Sequence, residues 1–102
     1  MKNKLYQTKE LVKQVLEENE RARNSDNELY VEICYRVNPS IMRSSFEEVI
    51  SNLDLYGLPT FETVRRTRQK VQAECPHLRP CAEVEIFRAE NEMAYREFAV
   101  NN

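Results

Sequence analysis

Glycine is almost absent from this chain: Gly57 is the only glycine among its 102 residues. Walker loops, dinucleotide fingerprints and tight β-hairpins depend on glycine, so these motifs and a hairpin-rich fold are disfavoured. The odd number of cysteines, Cys34, Cys75 and Cys81, argues against a disulfide framework. Long apolar runs are also lacking. We therefore expect neither a membrane span nor a signal peptide, and a cytoplasmic location.

The charges are distributed unevenly along a chain that is long enough for one domain, residues 1–102. The net charge of −2 does not suggest a nucleic-acid binder. Residues 1–23 and 61–81, however, carry net charges of +2 and +3, whereas residues 24–60 and 82–102 carry −4 and −3. Two basic segments thus alternate with two acidic ones.

Apolar residues recur at helical spacing in five segments, and no segment alternates as a strand would. The predicted helices run from about Leu5 to Glu20, from a Ser25 cap to Asn38, from Ser44 or Ser45 to the residue before Gly57, from Phe61 to Ala73, and from Ala82 to Phe98. Gly57 and the following Leu58 fit a Schellman ending. We therefore predict an all-α, compact bundle of about five helices.

Each predicted helix carries an apolar face that we expect to be buried. The faces consist of Leu5, Val12, Val15 and Leu16; of Leu29, Tyr30, Ile33, Cys34 and Val37; of Phe46, Val49, Ile50 and Leu53; of Phe61, Val64, Val71 and the stem of Arg68; and of Val84, Phe87, Ala94, Tyr95 and Phe98.

A short turn around Gly57 and Pro59 joins the third and fourth predicted helices, as in helix-turn-helix units. Such a unit would cover about residues 44–74, with its second helix in the major groove of DNA. Four basic residues fall within residues 65–70 of that helix, and arginine and lysine neutralise phosphates while arginine also reads guanine. The residues expected to contact double-stranded DNA are Thr60, Thr63, Arg65, Arg66, Gln69 and Lys70.

A basic run on a helix is also typical of a solvated surface or of pairing with an acidic neighbour. DNA binding predicts that Arg65, Arg66 and Lys70 lie beside lysines of the first helix. Those lysines are Lys9 and Lys13, and with Lys2 and Lys4 they could supply a second basic surface. The structural alternative predicts ion pairs from the basic run to Glu90 and Glu92.

The run from Pro59 to Lys70, P-T-F-E-T-V-R-R-T-R-Q-K, resembles a block in small proteins of bacteriophages and prophages of Gram-positive bacteria. The segments Arg23–Asp26 and Phe87–Arg96 are similar to parts of the same proteins, so that the resemblance spans residues 9–98. It implies a phage origin and a winged-helix or helix-turn-helix fold, with no particular activity. DNA binding would then serve phage gene regulation or DNA metabolism, with a homodimer on two half-sites.

A second hypothesis is that the chain is a protein-binding inhibitor of a host factor or defence system. The acidic C-terminal helix, about residues 82–98, would imitate a nucleic-acid backbone and occupy a basic channel. The residues expected to carry this binding are Glu83, Glu90 and Glu92.

No set of residues indicates an enzyme. Cys75, His77 and Cys81 lack the two ligand pairs of a usual zinc site, and His77 is the only histidine. Neighbouring glutamates are two residues apart or less, which places their side chains on different helix faces. They are therefore poor candidates for a paired general acid and base. We expect no catalytic residue, no metal and no cofactor.

Overall fold

The structure, a computed structural model, describes residues 4–101, and side chains for residues 7–94 and 96. All regular elements in this range are helical, which confirms the predicted all-α bundle. The α-helices are α1 (Lys4–Glu18), α2 (Glu20–Asn24), α3 (Asp26–Val37), α4 (Phe46–Ser51), α5 (Phe61–Glu74) and α6 (Ala82–Asn101), with 3₁₀ turns at Pro39–Arg43 and Pro76–Leu78. None of the described helices has both the length and the apolar character needed to cross a membrane.

The main apolar core lies where α1, α3 and α5 pack against one another. Its buried residues are Val12, Val15, Leu16, Ala22, Leu29, Ile33, Val64, Val71 and Leu78. A smaller cluster, formed by Cys34, Ile41, Val49 and Leu58, lies beneath α4 and the preceding 3₁₀ turn. Tyr30 contacts both clusters and so joins them. The helical spacing therefore predicted the burial of Val12, Val15 and Leu16 on α1, of Leu29, Ile33 and Cys34 on α3, and of Val64 and Val71 on α5.

The first predicted helix ends at Glu18 instead of Glu20, because Asn19 begins a separate helix. The backbone of Asn19 is extended, and its side-chain oxygen accepts hydrogen bonds from the backbone N–H groups of Arg21 (3.0 Å) and Ala22 (3.3 Å). An asparagine in this position is a strong N-cap. The residues between the first and second predicted helices thus belong to the helix α2, with Ala22 buried.

The third predicted helix is also too long, because α4 ends at Ser51. The side-chain nitrogen of Asn52 donates to the Glu48 carbonyl (2.8 Å), which is the acceptor that its own backbone N–H would use in a continued helix. Turns follow until Gly57, whose φ is +70°. The predicted Schellman pair is present: Gly57 N–H donates to Asp54 O (3.1 Å) and Leu58 N–H to Leu53 O (2.9 Å). Residues 52–60 therefore separate α4 from α5.

Several residues that we expected to be buried are exposed, which corrects the predicted faces of α3, α4, α5 and α6. The exposed residues are Val37, Phe46, Ile50, Phe61, Phe87 and Ala94. Phe46 keeps 81% of its surface because α4 is short and buries only Val49 against the rest of the fold. Phe87 and Ala94 are exposed because no described helix covers their side of α6. The side chains of Leu5, Tyr95 and Phe98 lie outside the described residues.

Candidate nucleic-acid interface and the adjoining cleft

Helix α5 is held in place from both its start and its buried face. Thr60 caps it, since Thr60 Oγ1 accepts a hydrogen bond from the Thr63 backbone N–H at 3.1 Å and donates to Thr63 Oγ1 at 2.9 Å. Val64 and Val71 enter the apolar core, and Arg68 and Gln72 are buried on the same side. The opposite side of α5 therefore faces solvent in a fixed orientation.

The predicted DNA-contact residues divide between two sides of α5. Arg66 and Lys70, one helical turn apart, are exposed opposite the buried residues, and the Arg66 side chain keeps 72% of its surface. Arg65 and Gln69 instead line a cleft between α5 and α6. Thr60 and Thr63 lie at the start of the helix, with Thr60 exposed. Four of the six predicted residues therefore lie on the outward face of α5 or at the start of this helix: Thr60, Thr63, Arg66 and Lys70.

Glu62 interrupts the basic surface of α5. Its carboxylate accepts two hydrogen bonds from Arg65, at 2.6 and 2.9 Å, and one from Arg66 at 2.9 Å. These bonds, those of Arg65 first, lower the pKa of Glu62 to about 2. The pairs are solvent-exposed and lie within one helix, and such pairs contribute little to stability. A phosphate oxygen can therefore replace Glu62 as the partner of Arg66.

Neither of the two arrangements expected for the basic run is present in full. Arg65 and Arg66 pair with Glu62 of their own helix, not with Glu90 or Glu92. Lys9 of α1 does reach α5, but its ion pair is with Glu74 (2.9 Å). Lys13 is exposed one turn further along α1. Lys2 and the side chain of Lys4 lie outside the described residues.

The cleft between α5 and α6 has a volume of about 1090 Å³ and a strongly charged lining. Five arginines and four carboxylates face it: Arg65, Arg68, Arg79, Arg88 and Arg96, with Asp26, Glu62, Glu85 and Glu92. Its floor is formed by Asp26, Arg68, Gln72 and Arg88, here called the Asp26 cluster. The three charged side chains of this cluster are the most buried charges of the cleft, with 8% of Arg68, 20% of Asp26 and 22% of Arg88 exposed.

The Asp26 cluster connects four separate segments through polar bonds. Arg68 donates to both carboxylate oxygens of Asp26, at 2.8 and 3.1 Å. The Gln72 amide nitrogen donates to Arg23 O (3.1 Å) and Leu78 O (2.9 Å), while its oxygen accepts from Arg68 at 3.3 Å and from Arg88 at 3.5 Å. No buried side-chain polar atom lacks a partner among the residues with described side chains. The cluster is therefore a satisfied network, which fixes α5 rigidly against α3.

The sequence pattern predicted that the stem of Arg68 lies on the apolar face of α5. It did not predict that Asp26 and Arg88 join Arg68 in a polar cluster. A guanidinium among buried valines must have an acceptor, because an unpaired buried charge is very costly. One acidic candidate for this acceptor was Asp26, which directly follows Ser25 in the capping region of α3. No signal in the sequence identified Arg88.

The acidic residues of the alternative hypothesis are exposed on α6. Glu83 and Glu90 form no ion pair within the described part of the chain, and Glu92 pairs with Arg96 (2.9 Å). Helix α6 also carries three large apolar side chains with about three-fifths of their surface exposed: Ile86 (59%), Phe87 (62%) and Met93 (63%). An apolar and acidic face of this kind is unusual for a surface that contacts only water.

The cysteines and the histidine are dispersed. Cys34 is buried, where burial raises its thiol pKa, Cys75 is half-buried, and Cys81 and His77 are exposed. Within the described residues, no three His, Cys, Asp or Glu side chains come together as a metal site would require.

No protein-family model, no curated protein and no solved structure matches this chain. The function proposed below therefore rests on the residues and their geometry.

Proposed function

We propose that this chain is a small DNA-binding protein of phage type, which contacts duplex DNA through the outward face of α5. The observation that carries the proposal is the exposure of Arg66 and Lys70, one turn apart, opposite the buried face of a firmly held helix. Thr60 and Thr63 belong to the same surface at the start of α5, and Arg65 and Gln69 lie at its margin beside the cleft.

The chemistry of this surface suits the edge of a base pair and the adjoining phosphates. The Arg66 guanidinium can form two hydrogen bonds with guanine or with a phosphate, and Lys70 supplies a point charge for a second phosphate. The N-terminal end of α5, at Thr60, favours a further phosphate through the helix dipole. In a bacterial host cytoplasm, such binding would serve phage gene regulation or DNA metabolism, with a homodimer spanning two half-sites.

The acidic net charge predicts weak binding that depends steeply on salt. Few lysines and arginines are available to neutralise phosphates, and each contact contributes about 0.9 to the slope of log affinity against log salt concentration. The test is fluorescence anisotropy of labelled duplex DNA at about 50 and 200 mM salt. We expect the double variant R66A/K70A to bind more weakly and to lower the slope by about 2.

The matched control is R43A/R96A, which removes the same two charges from exposed positions outside α5. We expect this variant to keep most of the affinity. Equal losses in both variants would mean that total charge alone determines binding, and the α5 interface would be rejected. Absence of wild-type binding at the lower salt concentration would reject DNA binding as a whole.

A second candidate function, binding to a host protein, is favoured by the exposed apolar and acidic face of α6. Ile86, Phe87 and Met93 offer apolar contacts, and Glu83, Glu90 and Glu92 would select a partner with a basic surface. Reversal of the three glutamates to lysine, compared with Phe87→Ala, separates the two contributions in a pull-down from host lysate. A protein retained by the wild type and by both variants would not be bound through α6.

A further inference from the structure

Five arginines and four carboxylates face the cleft between α5 and α6, so two arginines must share one carboxylate. Three of its four carboxylates pair with one cleft arginine each: Glu62 with Arg65, Glu85 with Arg79, and Glu92 with Arg96. The fourth, Asp26, has both oxygens hydrogen-bonded to Arg68. The fifth arginine, Arg88, is thereby left without a carboxylate of its own.

Arg88 is held in place by neutral groups. Its Nη1 donates to the Arg23 carbonyl at 3.2 Å and lies 3.5 Å from the Gln72 amide oxygen. Its Nη2 is 3.7 Å from Asp26 Oδ1, which is too long for a hydrogen bond, so this nitrogen keeps donor capacity. Burial and the like charge of Arg68 lower the pKa of Arg88 by more than the nearby Asp26 raises it.

We propose that the floor of this cleft binds the oxyanion of a phosphate group, with Arg88 as the principal donor. A phosphate oxygen bound to Nη2 would neutralise the surplus charge and complete the hydrogen bonding of the guanidinium. Gln69 and Asn91 line the same cleft and carry amide N–H groups suited to the remaining phosphate oxygens. The cleft is far larger than inorganic phosphate, so the group can be part of a larger molecule.

This site differs from the proposed DNA interface in its principal donor, although Gln69 lies at the margin of both. Arg88 lies on α6, and the outward residues Arg66 and Lys70 do not line the cleft. A duplex bound to the outward face of α5 therefore need not contact Arg88. The same phosphate chemistry is present in free phosphate and nucleotides and in a nucleic-acid strand, and the experiment must distinguish these sources.

The test is an NMR titration of the ¹⁵N-labelled full chain with sodium phosphate, compared with sodium chloride at equal ionic strength. We expect phosphate to cause saturable shifts of the Arg88 Nε–H signal and of the backbone amides around Arg23. Arg88→Gln should weaken phosphate binding at least tenfold. Arg66→Gln, the same change on the outward face of α5, should leave it unchanged. Shifts that do not saturate, or that chloride reproduces, would overturn the proposal.

A second variant keeps the test decisive if Arg88→Gln does not fold. Arg88→Lys preserves the charge but loses the planar fork, so we expect phosphate to bind measurably more weakly than in the wild type. Wild-type affinity in Arg88→Lys would reject Arg88 as the principal donor.

Labelled duplex DNA, titrated in parallel, distinguishes the sources. If Arg66→Gln weakens only duplex binding and Arg88→Gln weakens only phosphate binding, the two sites are separate. If Arg88→Gln weakens both, the cleft phosphate belongs to a nucleic-acid strand. A wild-type chain that binds phosphate but does not bind duplex DNA would contradict the DNA proposal alone.

Discussion

Helix α5 is more buried than helix α6, although α6 is the more apolar of the two. Helix α5 is the more polar of the two, yet it buries Val64, Arg68, Val71 and Gln72. Helix α6 carries Ile86, Phe87 and Met93, and all three are exposed. Among the side chains of α6 that the structure describes, only Val84 and Arg88 are even half-buried. Position relative to a facing helix, and not apolar content, determines which of the two joins the core.

The buried polar residues of α5 explain how a polar helix can occupy the centre of the fold. Arg68 and Gln72 lie one turn apart on the face that also carries Val64 and Val71, and their polar groups are satisfied by Asp26 and by backbone carbonyls. Burial of a charge is tolerated when its hydrogen bonds are complete. Among the side chains of α6 that the structure describes, Arg88 alone meets this network.

The largest loss of stability is expected when the ion pair between Arg68 of α5 and Asp26 is removed. Arg68→Ala leaves Asp26 without its main partner in a largely buried setting, and such losses cost about 3–5 kcal/mol of unfolding free energy. The control is Arg66→Ala, an arginine of the same helix that is exposed, for which we expect no more than about 0.5 kcal/mol. Urea unfolding measures both. Similar values for the two variants would show that the Asp26 cluster does not hold α5.

Truncation of apolar residues tests the comparison directly. Val64→Ala removes two buried methyl groups from the core and should cost about 2 kcal/mol. Phe87→Ala removes a much larger side chain, but we expect a change within about 0.5 kcal/mol because the ring is exposed. Urea unfolding of the two variants gives the order. A larger loss for Phe87→Ala would mean that α6 is packed against the bundle in solution.

High pH should loosen the start of α5 without acting on the described part of α6. Tyr30 packs edge-on against Phe61, with ring centroids 5.4 Å apart, and donates to the Pro59 carbonyl at 2.9 Å. Burial raises the pKa of Tyr30 above its ordinary 10.0 and that of Cys34 above 9.0. The unfolded chain therefore loses these protons first, and stability that is complete below about pH 9 falls as the pH rises. Chemical unfolding from pH 8 to 11 checks this, and a flat profile would contradict it. Tyr30→Phe should show a shallower fall.

The smallest loss of stability is expected for substitutions in the turn that precedes α5. Gly57 has a φ of +70°, and a Cβ at this position would meet no atom within 4 Å. Gly57→Ala should therefore cost about 1 kcal/mol through backbone strain alone. Gly57→Asn should cost less, because asparagine tolerates this conformation better. Thermal unfolding compares them, and equal melting temperatures for wild type and alanine variant would show that the turn is not rigid.

Local rules predicted the parts of the fold that depend on local chemistry. The Ser25 cap, the Gly57 ending and the valine positions of α1 and α5 were all evident from spacing and residue type, and the structure confirms them. The end of α4 depended on one side-chain bond of Asn52, which helix propensity does not reveal.

The cleft could not be predicted because it depends on contacts between distant segments. Asp26, Arg68 and Arg88 come together only after α3, α5 and α6 have packed, and their spacing in the sequence has no periodic signal. The predicted burial of Phe87 was wrong for a related reason. An amphipathic pattern indicates which side of a helix can be buried, but it does not show whether another element covers that side.

The polar attachment of α6 has a consequence for the order in which the chain assembles. Asp26 and Arg68 are 42 residues apart, and their bond closes before any residue of α6 is needed. During synthesis from the N-terminus, helices α1 to α5 are complete first. Since no described residue of α6 belongs to either apolar cluster, the preceding helices can form their core before α6 is made. We therefore expect α6 to dock last, onto a surface that the preceding helices have already formed.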